Sequence, residues 1–358
     1  MHEASARRVA LVPRLQTSLE IGDAYAIAAW SAVFLGAYAG LRYAETGTET
    51  ARGVNPGSFL HCLTFVVLAR FALGDWDGAL RAHAEMLEVA ADDPRELPPT
   101  PYARGYACAA LCHELRDEAA QADACLDLVR NVIVTRRPRV GLVGGCAAAA
   151  RALAHRGRFE EVRELFPWTG RGEGSAPLLE ALCEVSAAAE DWEDAEWTLR
   201  LARGEAEECR LLALPYFADR LEGRLAAAAD RDSEASELLR RSAEGFRGLG
   251  APWEEAWSRL QFAEAGREPE QAFAALATFE RLGSVVDAFR PGDPEAAARR
   301  NRFDCSPETL VQLRLRADVQ HDHVGRIGAG KRRQLVYEPV GGLQEPQRLS
   351  LAQAELGR

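Results

Sequence analysis

Gly74-Asp75-Trp76-Asp77-Gly78-Ala79 carries the pattern that decides the fold: a glycine, an aromatic two residues on, and a small side chain three further on. The pattern recurs as Gly36-Ala37-Tyr38-Ala39-Gly40-Leu41 and as Gly157-Arg158-Phe159-Glu160-Glu161-Val162. Glu190-Asp191-Trp192-Glu193-Asp194-Ala195 keeps all of it but the glycine. Each copy follows one apolar helical stretch and precedes another, which is the grammar of a helical hairpin. Glycine ends the first helix because it takes positive φ without a steric penalty. The aromatic fills the bend, and the small residue lets the second helix approach the first.

Looser copies at Arg116, Asp230 and Gly266 complete a series of turns starting at 36, 74, 116, 157, 190, 230 and 266. Such intervals suit two helices of about 12–16 residues plus two turns. Seven residues before the first six turns stand Ala29, Val67, Ala109, Ala150, Cys183 and Gly223, nearly all small, as a close helix crossing requires. Arg259 breaks this column in the seventh hairpin. The second helices read as amphipathic, with Leu80, Ala84, Leu87 and Ala90 on one predicted face and Ala235, Leu238, Leu239 and Ala243 on another. The expected fold is all-α, a solenoid of about seven hairpins over residues 17–290. Residues 1–16 are read as an N-terminal extension, 291–304 as a linker and 305–358 as an irregular, partly disordered basic tail. The repeat-turn positions singled out are Gly36, Tyr38, Gly74, Trp76, Ala79, Gly157, Phe159, Trp192 and Ala195.

This pattern resembles the tetratricopeptide family, whose repeats join their helices through Gly-Asp-Tyr-x-x-Ala; the resemblance implies a right-handed solenoid. Phe246-Arg-Gly-Leu-Gly-Ala-Pro-Trp-Glu-Glu-Ala256 and Ala277-Thr-Phe-Glu-Arg-Leu-Gly283 look closer to one branch of it. That branch is the helical-repeat region of bacterial signalling proteins: LuxR-family regulators of the maltose-regulator type and ATPase-linked cyclases. The resemblance spans roughly residues 20–290. It implies a non-catalytic scaffold in bacterial signalling or transcription control, binding a protein, peptide or regulatory ligand in a groove lined by the first helices.

The net charge of −11 is uneven: residues 291–358 hold 11 basic and 9 acidic side chains, so residues 1–290 carry the acidity. An acidic array repels nucleic acid, so any DNA contact belongs to the tail. There, Ser306-Pro307-Glu308 starts a helix with a cap, a first-turn proline and an acid at the positive end. Val311, Leu313, Leu315, Ala317 and Val319 also alternate as a strand would, and the cap favours helix. Cys305-Ser-Pro-Glu-Thr-Leu-Val-Gln-Leu-Arg-Leu-Arg-Ala317 is similar to the opening helix of a LuxR-type helix-turn-helix, and His321 to Ile327 looks like its recognition helix. Roughly twenty residues of the family's second helix and turn have no counterpart between them. The resemblance implies an alternative function, a DNA-binding regulator with a truncated or impaired helix-turn-helix. Its candidate contacts are Arg314, Arg316, His323, Arg326, Lys331, Arg332 and Arg333.

Other chemistry is weakly signalled. Cys108, Cys112, His113 and Cys125 offer metal-ligating atoms, but His113 points about 100° around the helix from Cys112 and no paired Cys-x-x-Cys follows. Gly325 to Arg332 nearly spells a phosphate-binding loop, with Arg332 where Ser or Thr should hold magnesium. No Gly-x-Ser-x-Gly, His-Glu-x-x-His or dinucleotide fingerprint occurs, so neither enzyme activity, cofactor nor metal is expected. Trp192, Trp197, Trp253 and Trp257 fall at helical spacing and are expected in the core. Ala24 to Leu41 is uncharged over 18 residues, yet it contains a turn in register with the array, so a hairpin is preferred to a membrane span. The eight cysteines show no paired spacing, which fits reduced, apolar packing residues in a cytoplasmic protein.

Overall fold

A computed structural model of the chain describes residues 2–91, 103–136, 146–166, 175–266 and 268–284. The chain divides into two compact units, 1–309 and 310–358, and every described residue belongs to the first. Among the described residues all regular structure is helical. A short helix α1 (His2–Ala10) leads into seven helical hairpins. Their first helices are α2 (Ser18–Leu35), α4 (Pro56–Ala72), α6 (Ala103–Leu115), α8 (Ala147–His155), α10 (Ser175–Ala188), α12 (Leu214–Ala228) and α14 (Pro252–Gly266). The second helices are α3 (Leu41–Ala51), α5 (Trp76–Ala91), α7 (Ala119–Arg136), α9 (Phe159–Leu165), α11 (Trp192–Cys209), α13 (Asp232–Leu249) and α15 (Pro269–Leu282).

Local chemistry explains the helix ends. Thr17 and Glu20 form a reciprocal capping box at α2, satisfying two amides that the helix itself leaves unpaired. Asn55 caps α4 by accepting from the Ser58 amide at 3.1 Å, and Pro56 supplies a preset φ at the first position. The turns within hairpins use left-handed residues: Gly36 (φ 84°), Gly74 (82°), Asp117 (63°), Gly157 (70°), Glu190 (54°) and Asp230 (57°). The third turn is therefore centred on Asp117, one residue beyond the position its sequence suggests. Trp76 fills its bend as expected of a plug. It is 1% exposed, stacks on Phe71 at 5.6 Å and donates its indole N–H to the Phe71 carbonyl. Such burial contributes about 3 kcal/mol.

Packing follows chain order. Each first helix contacts its own second helix, and successive first helices from α2 to α12 lie side by side; only α12 and α14 touch sparsely. The small-residue column is buried at all six positions, from Ala29 to Gly223. At Gly223 a Cβ would lie 2.7 Å from Leu239 Cγ, so glycine is what lets α12 and α13 close up.

A second set of contacts joins hairpins far apart in sequence. The Leu212 amide donates to the Leu35 carbonyl at 2.7 Å, and Gly36 abuts Ala213, so hairpin 1 meets hairpin 6. Gly74 abuts Pro252 and Leu282, so hairpin 2 meets hairpin 7. The array thus returns on itself after five hairpins, and its first helices become interior. In α4, Phe59, Leu60, Cys62, Leu63, Thr64, Phe65, Val66 and Val67 are all buried, as is nearly every residue of α6. A helix apolar on every side has protein on every side. The first-helix faces expected to line an open groove are packed against the chain itself in these two hairpins.

Two further expectations are corrected. The buried face of α5 is Trp76, Ala79, Ala82, His83 and Met86, whereas Ala84 and Leu87 are exposed. Trp76 and Ala79 anchor the helix and rotate Leu87 outward. Trp197 is 38% exposed and not core, because Ala195, Thr198 and Ala202 take the buried face of α11. Ala24 to Leu41 folds as the helix, turn and second-helix start expected of it: α2 ends at Leu35 and α3 begins at Leu41. No described helix is long and apolar enough to cross a membrane.

Candidate functional site

Four first helices each send one charged side chain to a single buried point. Arg151 of α8 bonds Glu184 of α10 through Nε and Glu254 of α14 through Nη2, the latter at 2.6 Å. Arg220 of α12 bonds the same two carboxylates, Glu184 at 3.0 Å and Glu254 at 2.8 Å. The result is a closed ring of alternating charge whose side chains are 4–10% exposed. Arg220 also reaches the Glu254 carbonyl and the hydroxyl of Ser258, which in turn bonds Ser242 at 2.9 Å. Phe217 lies beneath both guanidiniums, 5.6 Å from that of Arg151 and 4.9 Å from that of Arg220, and Trp253 faces Arg151 at 5.1 Å. Aromatic faces stabilise cations that have lost their water.

The electrostatics follow from burial. Desolvation alone would raise the Glu184 pKa, but Arg151 and Arg220 outweigh it and hold the carboxyl below its ordinary value. Arg151 is desolvated as well, and its two carboxylates keep it firmly protonated. A fifth titratable group, Glu180, stands one helical turn before Glu184 on the same face of α10. Burial pushes its pKa up to about 8; Arg151 and Arg220 pull it down, while Glu254 and Glu184 add to the rise. Tyr38, from the first turn, belongs to the same neighbourhood: burial, then Glu180 and Glu254, raise its phenol well above the usual value. The ring is thus a charge-balanced, water-poor junction with one extra acid beside it.

A second feature lies in the outer layer. Helix α9 has seven residues where α11 and α13 have 18, which leaves a recess of about 180 Å³ between it and α11. Phe159, Val162, Phe166, Leu182, Val185 and Trp197 line it, together with Asp194 and the Arg163–Asp191 ion pair. Burial, followed by the charge of Asp191, raises the Asp194 pKa. An engineered apolar cavity of about 150 Å³ admits a benzene ring, so this recess matches one aromatic or leucine-sized side chain.

The repeat-turn residues distribute themselves between the two features. Tyr38 joins the ring's surroundings and Phe159 the recess; Trp192 is half-buried against the core of hairpins 5 and 6, and Ala195 is buried in it. Cys108, Cys112 and Cys125 are buried thiols, and His113 Nδ1 pairs with Glu118 at 2.5 Å; no metal-ligating cluster occurs among the described residues. Arg314, Arg316, His323, Arg326, Lys331, Arg332 and Arg333 lie outside the described residues, as do the phosphate-loop-like stretch and His321.

The chain matches no family model and no curated protein. Arg151, Glu184, Arg220 and Glu254 do not stand out in the sequence. A signal exists: their charges alternate, and they are separated by 33, 36 and 34 residues, close to the repeat interval. It is hidden among many surface charges, because the visible period is carried by apolar and small residues.

Proposed function

We propose that this protein is a non-catalytic helical-repeat scaffold that binds a protein, peptide or regulatory ligand in bacterial signalling or transcription control. The observation that carries the reading is the packing of seven hairpins in chain order, with the first helices from α2 to α12 side by side, which is how solenoid scaffolds build binding surfaces from short units. The burial of α4 and α6 on all sides directs binding to the second-helix layer, and the recess of α9, α10 and α11 is its apolar indentation. A single apolar side chain of a partner fits there.

Site-specific photo-crosslinking tests this. A photo-reactive amino acid replaces Trp197 in one variant and Arg210, an exposed residue at the end of α11, in another. The expected result is a discrete adduct from position 197 that Leu182→Glu abolishes. Equal or absent adducts from both positions would rule the recess out as the binding surface.

A further inference from the structure

The buried faces of α2, α4 and α6 carry no charged side chain. Helix α8 buries one, Arg151, while α12 buries Arg220 and α14 buries Glu254. Arg151 directly follows the small-residue column, six residues before its turn, and the same place holds Trp30, Leu68 and Ala110 in hairpins 1–3. Hairpin 7 lies over the ends of α4, α6 and α8. There Gly74 abuts Pro252 and Leu282, Gly283 stands beside Arg116, and His155 packs against Trp253 at 6.0 Å and Trp257 at 6.3 Å. Apolar contact of this kind has no strong register of its own, because hydrophobic attraction is non-directional and the first helices of a repeat array resemble one another. A shift of one hairpin exchanges apolar neighbours for similar ones. Charge does not tolerate the same shift: moved toward hairpin 3, Glu254 would face α6, whose buried face offers no cation. A carboxylate buried without a counter-ion is far more costly than a changed apolar neighbour.

We propose that the Arg151–Glu184–Arg220–Glu254 ring is a register pin: it decides on which hairpin the array closes, while apolar packing supplies the stability of the closed form. Each of the four charges comes from a different hairpin, from the fourth to the seventh, so all four meet in one arrangement only. Desolvation offsets most of the attraction within buried ion pairs, so the ring adds little stability over apolar residues of its size. A mismatched register, by contrast, leaves a bare charge inside the protein. The register in turn determines which first-helix surfaces are sealed, as those of α4 and α6 are. The pin does not depend on the scaffold reading, and it is tested without a partner.

Double electron–electron resonance on the full chain provides the test, in a Cys209→Ala/Cys305→Ser background. Spin labels on Ala84→Cys in α5 and Glu280→Cys in α15, both exposed positions, span the closure. Labels on Ala84→Cys and Ala124→Cys in α7 report two hairpins that are neighbours in the chain. With the ring intact, one narrow distance between positions 84 and 280 is expected. Arg151→Met/Glu184→Met/Arg220→Met/Glu254→Met is expected to keep its helicity by circular dichroism and to show a second distance for this pair, displaced by about 10 Å, the spacing of packed helices. The distance between positions 84 and 124 is expected to stay the same. Should the four-site variant lose helicity, Arg151→Met/Glu254→Met, which removes the link between hairpins 4 and 7, is read in its place. A single unchanged distance between 84 and 280, an accompanying change between 84 and 124, or loss of helicity in both variants would each overturn the proposal.

Discussion

A Cβ placed on Gly36 would lie 2.7 Å from the Cβ of Ala213 and 2.8 Å from its amide nitrogen. Glycine at this turn therefore meets two demands, a left-handed φ and a backbone-to-backbone approach between hairpins 1 and 6. Gly74 also combines a left-handed φ with close neighbours, here Pro252 and Leu282. Asp117, Glu190 and Asp230 occupy the equivalent left-handed positions with exposed side chains. Glycine stands at these two turns and at the Gly157 turn, and acids stand at the other three.

Substitution at these positions should therefore split by location. Gly36→Ala is expected to destabilise by about 3 kcal/mol, from the left-handed penalty plus the clash with Ala213. Asp117→Gly and Glu190→Gly, relieved of the left-handed penalty at exposed positions, are expected to be neutral or to stabilise by up to about 1 kcal/mol. Urea denaturation midpoints at constant slope provide the comparison; similar losses at positions 36 and 117 would contradict it.

Breaking the ring should cost more than replacing part of it. Glu254→Gln leaves two buried guanidiniums facing one carboxylate and is expected to lose roughly 3–5 kcal/mol. The double variant Arg151→Met/Glu254→Met removes a cation and an anion together, leaving Arg220 paired with Glu184. Its expected loss is under about 2 kcal/mol, because apolar contact replaces the desolvated pair. A double-mutant cycle in urea measures the coupling, and simple additivity would exclude a closed ring.

Acid should destabilise the fold through two histidines. Burial lowers the pKa of both His61 and His83 to about 4, with Arg104 and His113 respectively adding to it. His83 is 4% exposed, packs edge-on against Tyr106 and has no hydrogen bond to Nε2. Unfolded, these rings take up a proton below about pH 6.5, whereas folded they resist until about pH 4. Their contribution is therefore present above about pH 6.5 and lost as pH falls toward about 4. Replacing His83 with Gln is expected to remove on the order of 2 kcal/mol of that pH dependence. Stability from denaturant melts at several pH values gives the slope.

Thiol labelling should single out one residue of the described seven. Cys62, Cys108, Cys112, Cys125, Cys146 and Cys183 are buried, and burial raises the pKa of each thiol. Cys209 is exposed at the end of α11, where it donates to Glu205. In a Cys305→Ser background, an aromatic disulfide reagent is expected to release one equivalent of thiolate quickly and the others only on unfolding. Fast labelling that persists in Cys209→Ala would disprove the assignment.

Much of the array was legible in the sequence because its rules are local. A left-handed glycine, a bend-filling aromatic and a small residue at a helix crossing act within one hairpin, so Gly74, Trp76 and Ala109 announced themselves by spacing. The buried face of α5 was misread because Leu87 looked apolar enough to be core, and packing around Trp76 and Ala79 turned it outward. Helices α4 and α6, apolar on every side, carried the hint of an interior position, but apolarity does not say which protein surface covers it.

An all-α chain of hairpins in order could be read from residue spacing, because helix signals and hairpin turns depend on neighbours a few residues apart. Only the tertiary structure decided that hairpin 1 meets hairpin 6, that the first-helix faces of α4 and α6 are sealed, and that Arg151, Glu184, Arg220 and Glu254 converge. Those outcomes depend on how six small rotations between hairpins accumulate, a sum that no single motif encodes. The raised pKa of Glu180 belongs to the same level, since it depends on burial and on charges that only the fold brings near.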